Sequence, residues 1–457
     1  MANAADIGLI LLISIPILLM IGVPISVSMG IGSVLAMATI FTFDRMAITS
    51  AQRIFAGINS FSLLAIPFFI LAGNIMTSGG IARRLINFAK ALICFIPGSL
   101  MQTNIVANML FGAISGSGVA AAAAIGGAMG PQQKADGYDP KVAAAANIAS
   151  APAGMLIPPS NTFIIYSLAS GGSSVAALFM AGYVPGILWG IACMIPVVFF
   201  ARKAGYKAER LANFRTNFKT TVEAIPALLM ILIVVGGIIS GIFTPTEASA
   251  IAVVYVTILS FAYRTLSVQM IPALLLATVK TTAMIIFMIG VSSIMGWIMA
   301  YAQIPNIIAS SLLSITDNPI LIMVIMNIVI LLLGFVMDPT PAILIFAPIF
   351  LPIATSLGID PIHFGVLMVF NLCIGTITPP VGPIMFVGCR IAELKIEDVV
   401  KPLLPFFAIL VALLMAVTFI PELSLALPRA AGLAIIVALV ITVGFGLVPG
   451  ELDDITR

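Results

Sequence analysis

The sequence predicts an all-α integral membrane protein built from two pseudo-symmetric repeats with broken helices, and three observations carry that expectation. Only 8% of the residues are charged while 61% are hydrophobic, and the mean hydropathy is +1.23. Many stretches stay apolar for about the 20 residues that a helix needs to cross hydrocarbon. Two blocks of helix-breaking residues also recur in the same order, 222 and 221 positions apart.

A soluble domain carries about a quarter charged residues because its surface faces water. A chain this apolar can satisfy its surface only against lipid. The clearest apolar stretches are 7–25, 177–200, 225–242, 283–300, 320–336 and 403–420. They are continuously apolar rather than alternating, which predicts spanning helices and not barrel strands. The N-terminus lacks a basic region and runs on into a second apolar stretch, 29–41, so it reads as membrane segment rather than cleavable signal. The four cysteines, Cys94, Cys193, Cys373 and Cys389, lie singly in apolar surroundings and read as packing residues. A net charge of +3 gives no reason to expect a nucleic-acid partner.

Six of the twenty Lys and Arg residues fall in one polar stretch: Arg202, Lys203, Lys207, Arg210, Arg215 and Lys219, opposed only by Glu209. Basic segments beside membrane spans stay on the cytoplasmic side. This stretch divides the chain into an N-terminal membrane repeat (1–201), a basic cytoplasmic linker (202–221) and a C-terminal membrane repeat (222–430). An extra C-terminal apolar segment and tail (431–457) follow. Residues 1–6 carry no Lys or Arg, which favours the outer side for the N-terminus.

The two halves look like copies. The chain has two Pro-Pro pairs, in Gly154-Met155-Leu156-Ile157-Pro158-Pro159 and in Gly375-Thr376-Ile377-Thr378-Pro379-Pro380. Upstream of each stands a second matched block, residues 110–118 around Gly112 and residues 332–340 around Gly334. Similarity does not say whether the copies are inverted, but they are if each carries an odd number of crossings.

Each block interrupts an apolar segment. Pro removes a backbone donor and clashes with the preceding turn, and Gly adds freedom at the same point. In lipid the freed N–H and C=O groups survive only when buried in protein or facing a watery cavity. Freed carbonyls can meet a cation and helix N-termini an anion. Matched Gly/Pro-interrupted segments in two halves are the sequence sign of a secondary transporter's binding site. The polar residues clustered there are Ser115, Ser117, Ser160, Asn161, Thr376 and Thr378. They are hard, neutral oxygen donors suited to an alkali cation rather than a transition metal.

Asp338 stands out among the acids. It lies at the tip Met337-Asp338-Pro339-Thr340-Pro341 between two apolar runs, and it reads either as an ionisable functional group at membrane depth or as a helix cap before Pro339. The position matching it at the 222-residue spacing is Gly116. Thr244-Pro245-Thr246-Glu247 reads as a capping box. His363, the single histidine, is expected at a membrane interface, and one histidine does not make a proton relay. There is no Walker phosphate loop, so ATP hydrolysis by this chain is not expected.

With these blocks read, the chain resembles the large membrane subunit of the tripartite ATP-independent periplasmic (TRAP) transporters. The residues that carry the resemblance are Ile66–Gly73, Phe111–Gly118, Gly130-Pro131, Gly137-Tyr138, Ala151–Asn161, Phe243–Glu247 and Gly375–Pro383. Pro158–Thr162 and Ala181–Gly186 look like the branch that carries sialic acid. The resemblance implies an elevator-type carrier of the bacterial inner membrane, multi-pass, with two inverted repeats and two re-entrant hairpins. Their tips would lie at Ser115–Gly118 and Asp338–Pro341. It implies uptake of a small organic acid anion driven by sodium ions, a periplasmic binding protein that delivers the substrate, and a small membrane subunit as partner. Carried onto this chain, one sodium site would use Ser115 and Ser117 with Gly154, Ile157 and Pro159. The other would use Asp338 and Thr340 with Gly375, Thr378 and Pro380. Substrate would meet Ser117, Ser160, Asn161, Asp338 and Pro383.

Three other readings compete. A membrane lipid-modifying enzyme needs clustered acids for metal and phosphate, and this chain offers Asp338 alone at membrane depth. A channel usually closes symmetric subunits around a pore, whereas two pseudo-symmetric halves with broken helices suit alternating access. Within the same transporter family, a C4-dicarboxylate or another organic acid remains the alternative to sialic acid.

Overall fold

The computed structural model describes residues 4–78, 80–206, 214–315, 318–335, 337–379 and 382–431, so Pro380 and the apolar segment and tail at 432–457 lie outside it. All the regular structure among these residues is helical. Seven helices are long and apolar enough to cross a membrane, or eight if the pair Pro140–Leu156 and Asn161–Ala169, bent by 51°, forms one span. The surface is apolar where a soluble protein's would be polar: Leu232, Ile242 and Ile258 are each at least 65% exposed, while Asn104, Asn108 and Asn371 are fully buried. That polarity fits a lipid surround, where bulky side chains meet acyl chains and amides must find protein partners.

The first half opens with α1 (Ala4–Met20), α2 (Ile25–Ala38), α3 (Phe43–Ile58), α4 (Ala65–Ser78) and α5 (Ile81–Ile93). The apolar run 7–25 does not stay one helix. Gly22 turns with φ +91° and Pro24 follows, so α1 ends at Met20. Next come α6 (Ser99–Ser115), α7 (Gly118–Ala135), α8 (Pro140–Ser150), α9 (Ala153–Leu156), α10 (Asn161–Ala169) and α11 (Val175–Ala204). The second half has α12 (Phe214–Ile239), α13 (Pro245–Ala262), α14 (Ile271–Tyr301), α15 (Ile304–Ile315), α16 (Pro319–Gly334), α17 (Pro339–Ser356), α18 (Pro361–Gly375), α19 (Pro383–Ile391) and α20 (Ile396–Phe419). The box at Thr244 forms: its side chain accepts from the Glu247 N–H while Glu247 accepts from the Thr244 N–H.

The run 320–336 is not a membrane span. As α16 it has 16 residues, roughly 24 Å of helix, too short for a hydrocarbon core of about 30 Å. It stops where Asp338-Pro339 turns the chain back into α17, so α16 and α17 are the arms of a hairpin. Helices α6 and α7 form the matching hairpin, turned at Gly116-Ser117.

The two hairpins enter from opposite faces, and α11 shows it. Its 30 residues span roughly 45 Å, enough to cross the membrane. At its C-terminal end the Asp139 N–H donates to the Tyr206 hydroxyl (2.9 Å), and the Tyr138 and Tyr206 rings pack 4.5 Å apart. The loop that leaves the first hairpin is therefore at that face. At the other end the Tyr166 hydroxyl donates to the Pro361 carbonyl (2.7 Å), which holds the loop leaving the second hairpin there. The halves are thus inverted repeats. Arg202 and Lys203 lie at the first face, where Lys141 of α8 also pairs with Asp398 of α20 at 2.7 Å.

In each half the hairpin touches the broken helix through a glycine pair. A Cβ on Gly154 would lie 2.1 Å from the Gly112 Cα, and one on Gly375 would lie 2.5 Å from the Gly334 Cα. These are the four glycines that define the repeated blocks. Their lack of a side chain lets backbone meet backbone.

Gly154→Ala should therefore push the first hairpin off its partner and cost about 1–3 kcal/mol of stability. Gly127→Ala, on the exposed side of α7 with open space at its Cβ, should be neutral or stabilising by up to about 1 kcal/mol. Thermal unfolding in detergent compares them, and equal midpoints would mean that the glycine pair is not a tight contact.

Candidate functional site

Both hairpin tips and both breaks meet at one cavity of about 540 Å³. Tip one contributes Ser115 to Ala120, tip two Asp338, Thr340 and Pro341, and the breaks Met155, Asn161, Thr162, Thr376 and Ile384. The remaining wall comes from α4 (Gly73, Asn74, Thr77) and α14 (Thr281, Met284, Met288), with Pro24 to Ser26 at one edge. Asn74 Nδ2 donates to Thr278 Oγ1 (2.9 Å), joining α4 to α14 beside the cavity.

Local chemistry fixes each tip. Gly116 ends α6 in the left-handed region (φ +62°), and a Cβ there would strike Asn161 Nδ2 at 2.7 Å. Tip one therefore rests on the start of α10. Ser117 caps α7 by accepting from the Ala120 N–H (3.3 Å). Asp338 caps α17 by accepting from the Thr340 N–H (3.2 Å), with Pro339 at the first helical position. Asp338 thus caps a helix and also lines the cavity. Its structural counterpart is the cap Ser117, not Gly116, because tip two has two more residues between its helices.

The breaks keep much of their own polarity occupied. Thr162 Oγ1 donates to the Met155 carbonyl (2.9 Å), as does Ser160 Oγ, and the two hydroxyls lie 2.7 Å apart. In the second break Thr378 Oγ1 donates to the Ile374 carbonyl (2.7 Å) and Thr376 Oγ1 to that of Cys373 (2.7 Å). The Ile384 N–H returns to the Thr376 carbonyl (3.1 Å).

Of the residues singled out in the sequence, Ser115, Ser117, Asn161, Asp338 and Thr340 line the cavity together. Gly154, Ile157, Pro159 and Ser160 are buried just behind it, as is Gly375 against Gly334. Thr378 and Pro383 stand beyond the lining, and Pro380 is outside the described residues. His363 is buried within the protein, its ring bonded to Ser424 Oγ (2.6 Å) and the Thr418 carbonyl (3.3 Å). Sequence reasoning passed over Asn74, Thr77, Thr162 and Thr281. The signal for Asn74 was an amide in the middle of the apolar segment 65–76.

Asp338 is the single charged residue among those lining the cavity. The helix termini supply the rest of the field. The N-termini of α7, α10, α17 and α19 reach it, each worth roughly half a positive charge, and α6 and α18 end there with the opposite sign. Such a site can accept an anion and a cation side by side. Among the described residues no group of three or more His, Cys, Asp or Glu could hold a metal ion.

Residues 12–423 match the family described as "Tripartite ATP-independent periplasmic transporter, DctM component". The chain belongs to that family. It is a transporter permease of the inner membrane, and its relatives agree. The uncharacterized protein YgiK of Salmonella typhimurium is 52% identical over 83% of this chain and 87% of its own. The sialic acid TRAP transporter large permease SiaM of Vibrio cholerae is 39% identical (83% and 89% covered). The C4-dicarboxylate large permease DctM of Pseudomonas aeruginosa is 40% identical (87% and 93%). Among solved structures, the YdaH transporter of Alcanivorax borkumensis, described as having an unusual topology, superposes with a TM-score of 0.59 at 13% identity. It covers 83% of the permease and 89% of its own chain, a likeness of fold.

In the permease, Asp338→Asn keeps an acceptor for the Thr340 N–H and Asp338→Ala does not. The Ala variant should lose about 1 kcal/mol of stability and the Asn variant almost none. Coinciding unfolding midpoints would show that the cap contributes nothing.

Proposed function

We propose that the permease takes up a small organic acid anion, sialic acid in preference to a C4-dicarboxylate, by coupling it to sodium ions. A periplasmic binding protein delivers the substrate, and a small membrane subunit is the stable partner. The observation that carries this reading is the single cavity shared by both tips and both breaks. Its oxygens are hard and neutral apart from Asp338, which suits sodium and offers no second carboxylate or histidine for a proton relay. Around it stand hydroxyls and amides from Asn74, Ser117, Asn161, Thr162 and Thr281, with no Lys or Arg. A dicarboxylate would call for cationic side chains at both ends. A polyhydroxylated monoanion is served by one or two helix N-termini and many neutral partners.

The sodium ions are assigned to the two tips with the adjacent breaks. One set is Ser115, Ser117, Gly154, Ile157 and Pro159; the other is Asp338, Thr340, Gly375, Thr378 and Pro380. For the substrate we favour Ser117, Asn161 and Asp338, which face the cavity, over Ser160, whose hydroxyl is engaged. Transport follows an elevator motion in which hairpins and broken helices move as one body against α4 and α14. The halves 1–201 and 222–430 each supply one hairpin to that body.

Proteoliposomes containing the permease, its small subunit and the binding protein should concentrate sialic acid on an inward sodium gradient. Uptake that survives without sodium but collapses with the pH gradient would overturn the coupling. Robust uptake by the permease alone would overturn the need for delivery.

Replacing Pro158 and Pro159 together with Ala should let the helix run on, because Ala is the best helix former, and return carbonyls to backbone bonds. Half-maximal uptake should then need far more sodium than in Ser117→Ala or Thr378→Ala. Each single change removes at most one neutral contact, worth about 1 kcal/mol. Unchanged sodium dependence in the double variant would reduce the break to a kink.

A further inference from the structure

The cavity does not use four deeply buried amides of the two repeats. Asn108 lies on the hairpin arm α6 and Asn147 on the broken helix α8; Asn327 lies on the hairpin arm α16 and Asn371 on the broken helix α18. All four are at most 4% exposed. Asn108 Nδ2 donates to the Asn147 carbonyl (3.2 Å) and to Asn147 Oδ1 (3.0 Å). Asn371 Nδ2 donates in the same way to the Asn327 carbonyl (2.8 Å) and to Asn327 Oδ1 (2.9 Å). In each half, one asparagine thus grips both the backbone and the side chain of another across the same helix pair.

The placement is the same relative to the glycine contacts. The donors stand four residues before Gly112 and Gly375, and the acceptors seven residues before Gly154 and Gly334. The donor sits on the hairpin in the first half and on the broken helix in the second. The residues at the repeat-related positions of the donors are Ile330 and Ser150, so the tie is not one ancestral pair kept twice. It has been built with different residues to the same geometry.

Neither donor is there for packing alone. Asn108 Oδ1 and Asn371 Oδ1 are both buried without a hydrogen-bond partner among the described residues. The amides cannot simply be reversed, because the facing backbone carbonyls can only accept. A leucine there would avoid the buried orphan oxygen.

We infer that Asn108 and Asn371 are positioning residues that lock each hairpin to its broken helix and so set the spacing between hairpin tip and break at each sodium site. A glycine pair alone leaves two packed helices free to slide and turn on one another at the contact. A hydrogen-bonded tie one to two turns earlier fixes how they are set against each other. The oxygens assigned to each sodium come from both helices of a pair, so their spacing depends on that lock. This inference rests on the sodium sites proposed above.

The test uses Asn108→Leu and Asn371→Leu in the complete transporter, at matched membrane expression. Each should raise the sodium concentration for half-maximal uptake about fivefold, the factor set by losing one hydrogen bond's worth of positioning. The unfolding midpoint should fall modestly, because the facing acceptors lose their donor, while the substrate KM at saturating sodium should stay unchanged. A lowered midpoint with wild-type sodium dependence would make the ties merely structural and overturn the inference. If a Leu variant fails to reach the membrane, Asn327→Ala removes one of two acceptors and should shift sodium dependence in the same direction by a smaller factor; no shift would overturn the inference. Sodium-independent uptake by the wild type would overturn the coupling itself, and with it this inference.

Discussion

The architecture depends on one constraint: within hydrocarbon, a helix may break only where protein covers the groups that the break sets free. The permease meets it with backbone-to-backbone contacts at Gly112–Gly154 and Gly334–Gly375. Each places a hairpin directly against a broken helix. Side chains at these four positions would hold hairpin and helix apart. The lateral surface can then be apolar, with residues such as Leu232 and Ile258 facing outward.

The cavity's electrostatics follow from the same construction. Broken helices bring their ends to the membrane interior, and helix ends carry partial charge without a charged side chain. Four N-termini and two C-termini meet where the lining residues contribute only the carboxylate of Asp338. A site made this way avoids most of the cost of placing ions in a low-dielectric medium. It also suits ligands that arrive and leave together, since opposite partial charges are a few residues apart at each tip.

The buried polar interior divides the labour. Hydroxyls in the breaks, those of Ser160, Thr162, Thr376 and Thr378, largely satisfy nearby carbonyls. Amides tie helices across longer distances, as Asn74 does to Thr278 and Asn371 to Asn327. His363 belongs to this second group, joining the start of α18 to Ser424 and Thr418. The polar groups left facing the cavity are those whose local partners are few, Asn161 and Asp338 among them.

Composition and repetition alone determined the membrane class, the helical architecture, the two halves and the location of the breaks. Hydropathy, the Gly and Pro positions and the 221–222-residue spacing are local or periodic properties that a linear chain displays in full. The cap at Asp338 and the box at Thr244 were legible for the same reason, being made within four residues. Tertiary structure decided the rest. The run 320–336 has the hydropathy of a span, and only the turn at Asp338-Pro339 together with its packing on α18 makes it a hairpin arm. Ser117 and Ser160 look alike as polar residues beside breaks, yet Ser117 lines the cavity and the Ser160 hydroxyl turns to the Met155 carbonyl. Thr281 carries no local mark of function, and it and Asn74 reach the site because α4 and α14 pack beside the tips. Which polar group stays free depends on partners brought from distant parts of the chain, and hydrogen bonding across 30 to 200 residues leaves no trace in local pattern.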